Sequence, residues 1–337
     1  MLPDSMPELF YILLIPLTGL AATLAATPVV IRLAGRYNAY DTVNERKVHR
    51  RPVSRLGGIA LFCGFSVSFV VLSVLTMSDR ISLDFDPSLL TAFFAGAALY
   101  FGLGLLDDFL ELNPKVKFAS MVVIALLVAY MGIKIGTLFG TLVLPAWVAV
   151  GFTVFWLVGV VNTINFIDGL DGLASGISLF AAIAFLVISV VRTDWASALL
   201  LLALLGALIG FLPYNFFPAK IFLGDSGALL LGFILAAISV TGLYKQITVL
   251  TLAIPLAALA LPIADTTFAI ARRIARHVPI TSPDRRHIHH RLLAMFCRNA
   301  YDAQSAMEGP AHRSAVIACY AISLVFAGIA VYLGISG

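Results

Sequence analysis

Long apolar segments occupy most of this chain, and they limit its fold more than any other feature of the sequence. A helix needs about 20 predominantly apolar residues to cross the hydrocarbon core of a bilayer, and about ten segments of roughly that length can be recognised. Hydrophobic residues make up 61% of the 337 residues and charged residues only 12%, which excludes a water-soluble fold. The sequence therefore predicts an all-α integral membrane protein, a bundle of about ten transmembrane helices. The predicted spans are approximately 9–33, 56–77, 89–106, 116–132, 145–164, 173–191, 195–213, 227–244, 248–266 and 314–335.

The basic residues are distributed unequally between the two sides of this predicted bundle. Ten spans place both termini on one side, and the loops on the other side carry 18 of the 22 Lys and Arg residues. Because basic loops stay in the cytoplasm, both termini are predicted outside and the loops near 44, 110, 168, 220 and 288 inside. The same bias explains the net charge of +4 and excludes a nucleic-acid-binding role. The basic residues predicted outside are Arg80, Lys134, Arg192 and Lys245.

We predict a single polytopic domain over residues 1–337, because no low-complexity tract or internal repeat divides the chain. Within this domain, residues 270–313 are predicted to form a long cytoplasmic loop rich in His and Arg. Residues 133–144 are too few to cross a bilayer, and their Gly and β-branched residues predict an extended hairpin outside it.

Carboxylates lie at the cytoplasmic ends of several predicted spans. Asp107 and Asp108 end the third span, Asp168 and Asp171 follow the fifth, and Asp225 precedes the eighth. Ionised groups close to the bilayer core are costly, so those that persist usually mark a pathway or a site. Adjacent carboxylates resist simultaneous ionisation unless a cation or a lysine offsets them, and their oxygens suit Mg²⁺ bound together with phosphate. The sequence therefore predicts a cation pocket at this face.

Two short motifs strengthen this prediction, although each has a plainer alternative. Residues 162–173 place two Asn, two Asp and two Gly between two spans, which is more polar chemistry than a tight turn requires. Gly224-Asp225-Ser226-Gly227 resembles the tetrapeptide around a serine-protease nucleophile, but it supplies no base oriented by an acid. A helix N-terminus with small residues suits phosphate or an Asp that reaches a metal. The alternatives are a simple interhelical turn and a capped helix start.

The predicted loop at 270–313 contains the densest group of His and Arg. Residues 283–292 hold three of each, and no Cys or acid with zinc-ligand spacing accompanies them. Arg interleaved with His fits a pyrophosphate better than a metal. A loop that is basic only because it is cytoplasmic remains the alternative.

Several patterns occur together in one order. They are Arg46-Lys47-Val48-His49 followed by Gly57-Gly58, Asp107-Asp108 with Lys117, the turn with Asn165, Asp168 and Asp171, Gly224-Asp225-Ser226-Gly227, and His287-Ile288-His289-His290. Over about residues 30–335 the chain resembles the polyprenyl-phosphate N-acetylhexosamine-1-phosphate transferases, the bacterial glycosyltransferase-4 group. The His-Ile-His-His form is similar to the sugar-1-phosphate branch. The more distant phospho-MurNAc-pentapeptide translocases carry three consecutive His.

This resemblance implies a reaction at the cytoplasmic face of the bacterial cytoplasmic membrane. Undecaprenyl phosphate attacks the β-phosphorus of a UDP-N-acetylhexosamine, with UDP-GlcNAc as the first candidate. UMP leaves, and the lipid-diphosphate sugar initiates a cell-envelope polysaccharide such as O-antigen or wall teichoic acid. The implied cofactor is Mg²⁺, with Mn²⁺ as an alternative, and a homodimer is left open. The implied roles are catalytic for Asp107 and Asp108, metal-binding for Asp171 and Asp225, and substrate-binding for Lys117, Asn165, Asp168, Arg285, His287, His289 and His290.

Other functions remain open at this point. A phospho-MurNAc-pentapeptide transferase belongs to the same superfamily. A secondary transporter also has about ten spans and buried acids, but its sites lie near the bilayer midplane on broken helices. Here the acids lie at the ends of the spans. A CDP-alcohol phosphotransferase requires Asp-Gly-x-x-Ala-Arg, whereas Asp168-Gly169 is followed by Leu170-Asp171-Gly172-Leu173.

Overall fold

The computed structural model describes residues 6–36, 53–81, 87–138, 142–241, 253–275, 288–296 and 310–336. Nearly all of these residues are helical, which confirms the predicted all-α fold class. The helices are α1 (Met6–Arg36), α2 (Gly57–Met77), α3 (Pro87–Leu110), α4 (Pro114–Tyr130), α5 (Ala146–Ile167), α6 (Leu173–Val191), α7 (Trp195–Asn215), α8 (Gly224–Thr241), α9 (Ala253–Ala258), α10 (Ala260–Ala275), α11 (Ile288–Phe296) and α12 (Pro310–Ser336).

Eight helices in the described part of the chain are long and apolar enough to cross a membrane, rather than the predicted ten. They are α1, α2, α3, α5, α6, α7, α8 and α12. Large apolar side chains cover their outer faces; Phe155, for example, is 72% exposed. A surface of this kind is stable against lipid and not against water. The chain is therefore a multi-pass membrane protein.

The two other predicted spans differ from expectation for physical reasons. The fourth, 116–132, corresponds to α4, whose 17 residues are at the lower limit for crossing a bilayer. The ninth, 248–266, is replaced within the described residues by two helices, α9 and α10, that meet at Leu259. Proline lacks an N–H, and its ring clashes with the carbonyl four residues earlier. Pro262 therefore breaks the helix at Ala258, and α10 continues to Ala275.

The segment between α4 and α5 contains the predicted hairpin. Strands β1 (Thr137–Leu138) and β2 (Leu142–Val143) pair antiparallel, with Thr137 opposite Val143. The Ile135 N–H donates to Thr153 Oγ1 at 2.9 Å, which fastens the hairpin to α5. Its location outside the bilayer stays a prediction.

Helix α8 lies at the centre of the bundle and is buried on every side along most of its length. Small residues let the neighbouring helices approach its N-terminus closely, as is usual between membrane helices. A Cβ on Gly58 of α2 would lie 2.3 Å from the Gly227 nitrogen. A Cβ on Gly104 of α3 would lie 2.5 Å from the Asp225 carbonyl oxygen. The backbone around Asp225 is therefore fixed by glycine contacts from two helices.

Candidate active site

Four of the predicted site residues, from four different helices, form one hydrogen-bonded network. Lys117 Nζ lies 2.7 Å from Asp107 Oδ2 and 2.6 Å from Asp225 Oδ1. It also donates to Asn165 Oδ1 at 3.1 Å, and Asn165 Nδ2 donates to Asp225 Oδ1 at 2.5 Å. These residues lie at the C-terminal ends of α3 and α5 and the N-terminal ends of α4 and α8. The acids predicted to share one face therefore meet at one end of the bundle.

The ends of these helices are shaped by the same carboxylates. Asp107 uses its second oxygen, Oδ1, to accept the Leu112 N–H at 2.8 Å. This bond stabilises the reversal between α3 and α4, in which Glu111 has a left-handed φ of 46°. Because Asn113 Oδ1 then caps α4 by accepting from the Lys115 N–H, the first turn of α4 directs Lys117 back toward Asp107.

Asp108 has a different environment from its neighbour. Its two carboxylate oxygens accept the backbone N–H groups of Asp225 at 2.8 Å and Ser226 at 3.0 Å. A carboxylate is stabilised at a helix N-terminus by the macrodipole. The first turn of α8 is thus capped by Asp108 from another helix, and this carboxylate takes the place expected for a phosphate. Asp108 thereby fixes the position of Asp225, and its predicted catalytic role stays a prediction.

The turn between α5 and α6 adds two further carboxylates. Asp171 is only 5% exposed, and its Oδ2 accepts the Ala219 N–H at 2.9 Å. Burial and the negative charges of Asp225, Asp108 and Asp171 raise the pKa of Asp168 well above its usual value, and Arg55 opposes this shift. The turn therefore brings two more carboxylates to the site, and Asp168 ionises less readily there than an ordinary aspartate.

These donors fit the expected Mg²⁺. The carboxylates are hard oxygen ligands, and a cation would offset the mutual repulsion that raises the pKa of Asp168. No group of three His, Cys, Asp or Glu residues within the described ranges is already arranged around a common point. Mg²⁺ usually takes one or two carboxylates together with substrate phosphates. Of the two predicted ligands, Asp225 is the more accessible, because its side chain is 28% exposed.

The His-Arg motif is described in part. Arg285 and His287 lie outside the described residues, and for His289 and His290 only the backbone, in the first turn of α11, is described. The buried Asp265 of α10 accepts the Ile288 N–H at 2.6 Å. This carboxylate holds the N-terminus of α11 and so fixes the position of the helical turn that contains His289 and His290. Within the predicted loop at 270–313, the described residues are helical: the end of α10, all of α11 and the start of α12.

Comparison with known proteins decides the family. Residues 90–243, from α3 to α8 with every carboxylate of the site, match glycosyl transferase family 4. A probable undecaprenyl-phosphate N-acetylglucosaminyl 1-phosphate transferase of Bacillus subtilis is 38% identical over 325 residues, 94% of this chain and 83% of that protein. The chain belongs to glycosyl transferase family 4.

Two further relatives show the breadth of the family. A decaprenyl-phosphate N-acetylglucosaminephosphotransferase of Mycobacterium leprae is 34% identical over 332 residues, 91% of this chain and 80% of that protein. A phospho-N-acetylmuramoyl-pentapeptide-transferase of Listeria monocytogenes is 34% identical over 229 residues, 63% of this chain and 68% of that protein. The suspected relationship to both branches is therefore confirmed, and the chain is a member of a family of sugar-phosphate transferases.

In this family member, the segment before α8 is held partly by residues that lie outside the predicted motifs. The Phe222 N–H donates to the Ser54 carbonyl, and the N–H groups of Gly57 and Gly58 donate to Phe222 and Leu223. Asn215, which is buried, accepts from Ser175 Oγ and donates to the Ile221 carbonyl. The only available signal was the presence of Asn and Ser within apolar segments, where polar groups need partners. The Gly57-Gly58 pattern is explained by this backbone pairing.

Lys117 provides a test of this network. Lys117→Met keeps much of the side-chain length and removes the cation between Asp107 and Asp225, leaving two carboxylates in repulsion. We expect turnover to fall about 10- to 100-fold, in keeping with the loss of a charge-assisted hydrogen bond. Lys115→Met is the matched control, since Lys115 is exposed two residues away. The measurement is the initial rate of sugar-phosphate transfer by the two purified variants. Equal rates would show that Lys117 is not needed for catalysis.

Proposed function

We propose that this protein transfers an N-acetylhexosamine 1-phosphate, with GlcNAc 1-phosphate as the first candidate, from a UDP-sugar to undecaprenyl phosphate. UMP is the second product, and the reaction takes place at the cytoplasmic face of the bacterial inner membrane. The observation that carries the proposal is the network of Lys117, Asp107, Asn165 and Asp225 at one end of a membrane bundle. It supports phosphoryl transfer because it combines a phosphate-binding cation with carboxylates able to hold Mg²⁺.

The chemistry requires two anionic phosphates to meet. Bound Mg²⁺, held by Asp171 and Asp225, would neutralise charge on the pyrophosphate. Lys117 donates to a phosphate oxygen once substrate displaces one of its carboxylate partners. A phosphate monoester has a second pKa of about 6 and is largely dianionic at neutral pH. The main task of Asp107 and Asp108 is therefore positioning rather than removal of a proton.

The surface next to the carboxylates suits a lipid acceptor. Phe109 and Leu110 follow Asp108 directly and are 58% and 65% exposed, and Phe118, beside Lys117, is 54% exposed. Apolar side chains on the outer face of a membrane bundle contact lipid. A polyprenyl chain lying in the bilayer along this surface would present its phosphate to Lys117 and the acids.

The His-Arg motif is proposed to bind the donor. Arg285, His287, His289 and His290 would donate to the pyrophosphate and the hexosamine, since charge-assisted hydrogen bonds from Arg suit phosphate. The hydrogen bond between Asp265 and the N-terminus of α11 supports this proposal, because it gives the backbone of His289 and His290 a fixed position.

The proposal is tested by release of UMP. The purified protein is incubated with undecaprenyl phosphate, Mg²⁺ and a panel of UDP-sugars that includes UDP-GlcNAc, UDP-GalNAc and UDP-MurNAc-pentapeptide. We expect UMP release that requires both the lipid and an N-acetylhexosamine donor. Release with UDP-MurNAc-pentapeptide alone would assign the chain to the translocase branch. Release of UMP without any lipid acceptor would contradict the transfer reaction.

The orientation has its own test. In a variant without native cysteines, Lys220→Cys lies at the same end as the site, and Arg80→Cys lies in an exposed turn after α2. Because the basic loops are predicted inside, an impermeant maleimide should label position 80 in right-side-out vesicles and position 220 only in inverted ones. Labelling of position 220, or of position 288, from the outside would reverse the proposed topology.

A further inference from the structure

We propose that His312 and Tyr320 of α12 are positioning residues that hold the backbone of the catalytic turn 168–172. The inference rests on the proposed function for its kinetic arm. It extends the active site to α12, a helix outside the matched residues 90–243. Neither residue belongs to the acid cluster; both act through the turn that carries Asp168 and Asp171.

His312 is buried against the turn. It is 1% exposed, and its Nε2 accepts the backbone N–H of Asp171 at 3.1 Å. The turn residue Asp171 is followed by the left-handed Gly172, and a buried N–H at such a position needs a partner. The imidazole also stacks on Phe217, with ring centroids 4.5 Å apart. His312 therefore supplies the acceptor for a buried amide and is itself fixed in orientation.

The side chain of Asp171 is held by the same neighbourhood. Its Oδ2 accepts the N–H of Ala219, two residues after the Phe217 ring that stacks on His312. Backbone and carboxylate of Asp171 are thus both connected to the segment between α7 and α8. Moving the imidazole would release its own contacts, with the Asp171 N–H and with the Phe217 ring.

Tyr320 holds the next residue of the turn. Its hydroxyl donates to the Gly172 carbonyl at 2.5 Å, and Gly172 has a φ of 75°. The phenol lies over Gly176, where a Cβ would be 2.0 Å from the Tyr320 ring. The absence of a side chain at Gly176 is therefore what lets Tyr320 reach the turn.

α12 is suited to act as a rigid support. It runs beside α6 from the turn to the far end, where the Arg192 guanidinium Nε donates to the Gly334 carbonyl at 3.0 Å. The supported turn carries Asp168, which lies within electrostatic reach of Asp225 and Asp108. A displacement of about 1 Å at a catalytic centre can lower a rate about 100-fold. Support of this turn from α12 therefore controls the geometry of the carboxylates.

The test combines turnover with hydrogen–deuterium exchange of the purified full chain. His312→Leu removes the acceptor, whereas His312→Gln places an amide oxygen at about the same reach. Tyr320→Phe removes one hydroxyl, and Tyr332→Phe is its matched control, since Tyr332 is 71% exposed at the far end of α12. We expect His312→Leu to lower kcat about 10- to 100-fold and to speed exchange in peptides covering residues 168–173. We expect Tyr320→Phe to lower kcat about 2- to 10-fold, in keeping with one lost hydrogen bond.

His312→Gln should restore protection of residues 168–173 and most of the turnover, and Tyr332→Phe should match the unmodified protein. Unchanged exchange in His312→Leu, or a His312→Gln variant as impaired as His312→Leu, would overturn the inference. The exchange arm does not depend on the reaction. If the unmodified protein released no UMP, the proposed function would fail while the support of the turn by α12 would still be decided.

Discussion

Replacement of Asp225 by Asn is expected to lower turnover at least ~100-fold with little loss of folded protein. The amide keeps the shape of the carboxylate but removes the charge that pairs with Lys117 at 2.6 Å and accepts from Asn165. It also removes a charged ligand from the proposed metal site. Rates are measured as UMP release over a range of Mg²⁺ concentrations, with EDTA abolishing activity and Mg²⁺ or Mn²⁺ restoring it.

The matched control for this charge removal is Asp79→Asn. Asp79 is exposed in the turn after α2 and has a φ of 53°, a left-handed conformation that Asn accepts. We expect Asp79→Asn to be fully active. Full activity of Asp225→Ala at ordinary Mg²⁺ would exclude Asp225 as a metal ligand, whatever the result for Asp79.

Replacement of Gly104 by Ala is expected to lower turnover more than ~100-fold, although the change adds one methyl group. The new Cβ would lie 2.5 Å from both the Asp225 carbonyl oxygen and the Ser226 Cα. These are backbone atoms that cannot rotate away, so α3 and α8 must separate. Overpacking of this kind costs about 1–3 kcal/mol, and here the separation also moves Asp108 away from the amides that it caps.

Gly102→Ala is the control for this substitution. It makes the same change in the same helix, and nothing lies within 4 Å of a Cβ at Gly102. Because Ala favours a helix over Gly by about 1 kcal/mol, we expect equal or greater thermal stability and unchanged turnover. Equal activity of the two variants would contradict the close approach of α3 to Asp225.

The bundle and its acid cluster could be predicted because both depend on local sequence. Runs of apolar residues identify a membrane helix without reference to its neighbours, and acids at the ends of such runs identify a polar face. The pairing of Lys117 with Asp107 and Asp225 could have been predicted for the same reason. Once the ends of the spans are placed on one side, few partners remain for each charge.

The separate tasks of the acids could not be predicted in this way. Asp107 and Asp108 are adjacent residues of the same type, so the sequence does not distinguish their roles. One pairs with Lys117 and the other caps α8, because successive helical residues point about 100° apart and so meet different neighbours. The engagement of Asp171 by Ala219 and of its amide by His312 depends on residues 48 and 141 positions away. Contacts of this kind follow from packing of the bundle rather than from a motif.

The division of the ninth predicted span had a local cause that hydropathy does not register. Pro262 cannot donate to the carbonyl of Ala258, and the helix breaks there even though the surrounding residues are apolar. Counting apolar residues across this point joins two helices into one. The predicted side of each loop follows from the count of ten spans. Vesicle labelling tests that count and the sides together.

The central claim, phosphoryl transfer between a UDP-sugar and a lipid phosphate, is tested most directly by isotope exchange. One phosphoanhydride is broken and one is formed, so the reaction should be close to balanced and reversible. With the lipid-diphosphate product, Mg²⁺ and labelled UMP, the purified protein is predicted to incorporate label into UDP-GlcNAc, and Asp225→Asn to do so at least ~100-fold more slowly. Failure of labelled UMP to enter any UDP-sugar, with lipid product present and the protein folded, would contradict the proposed reaction.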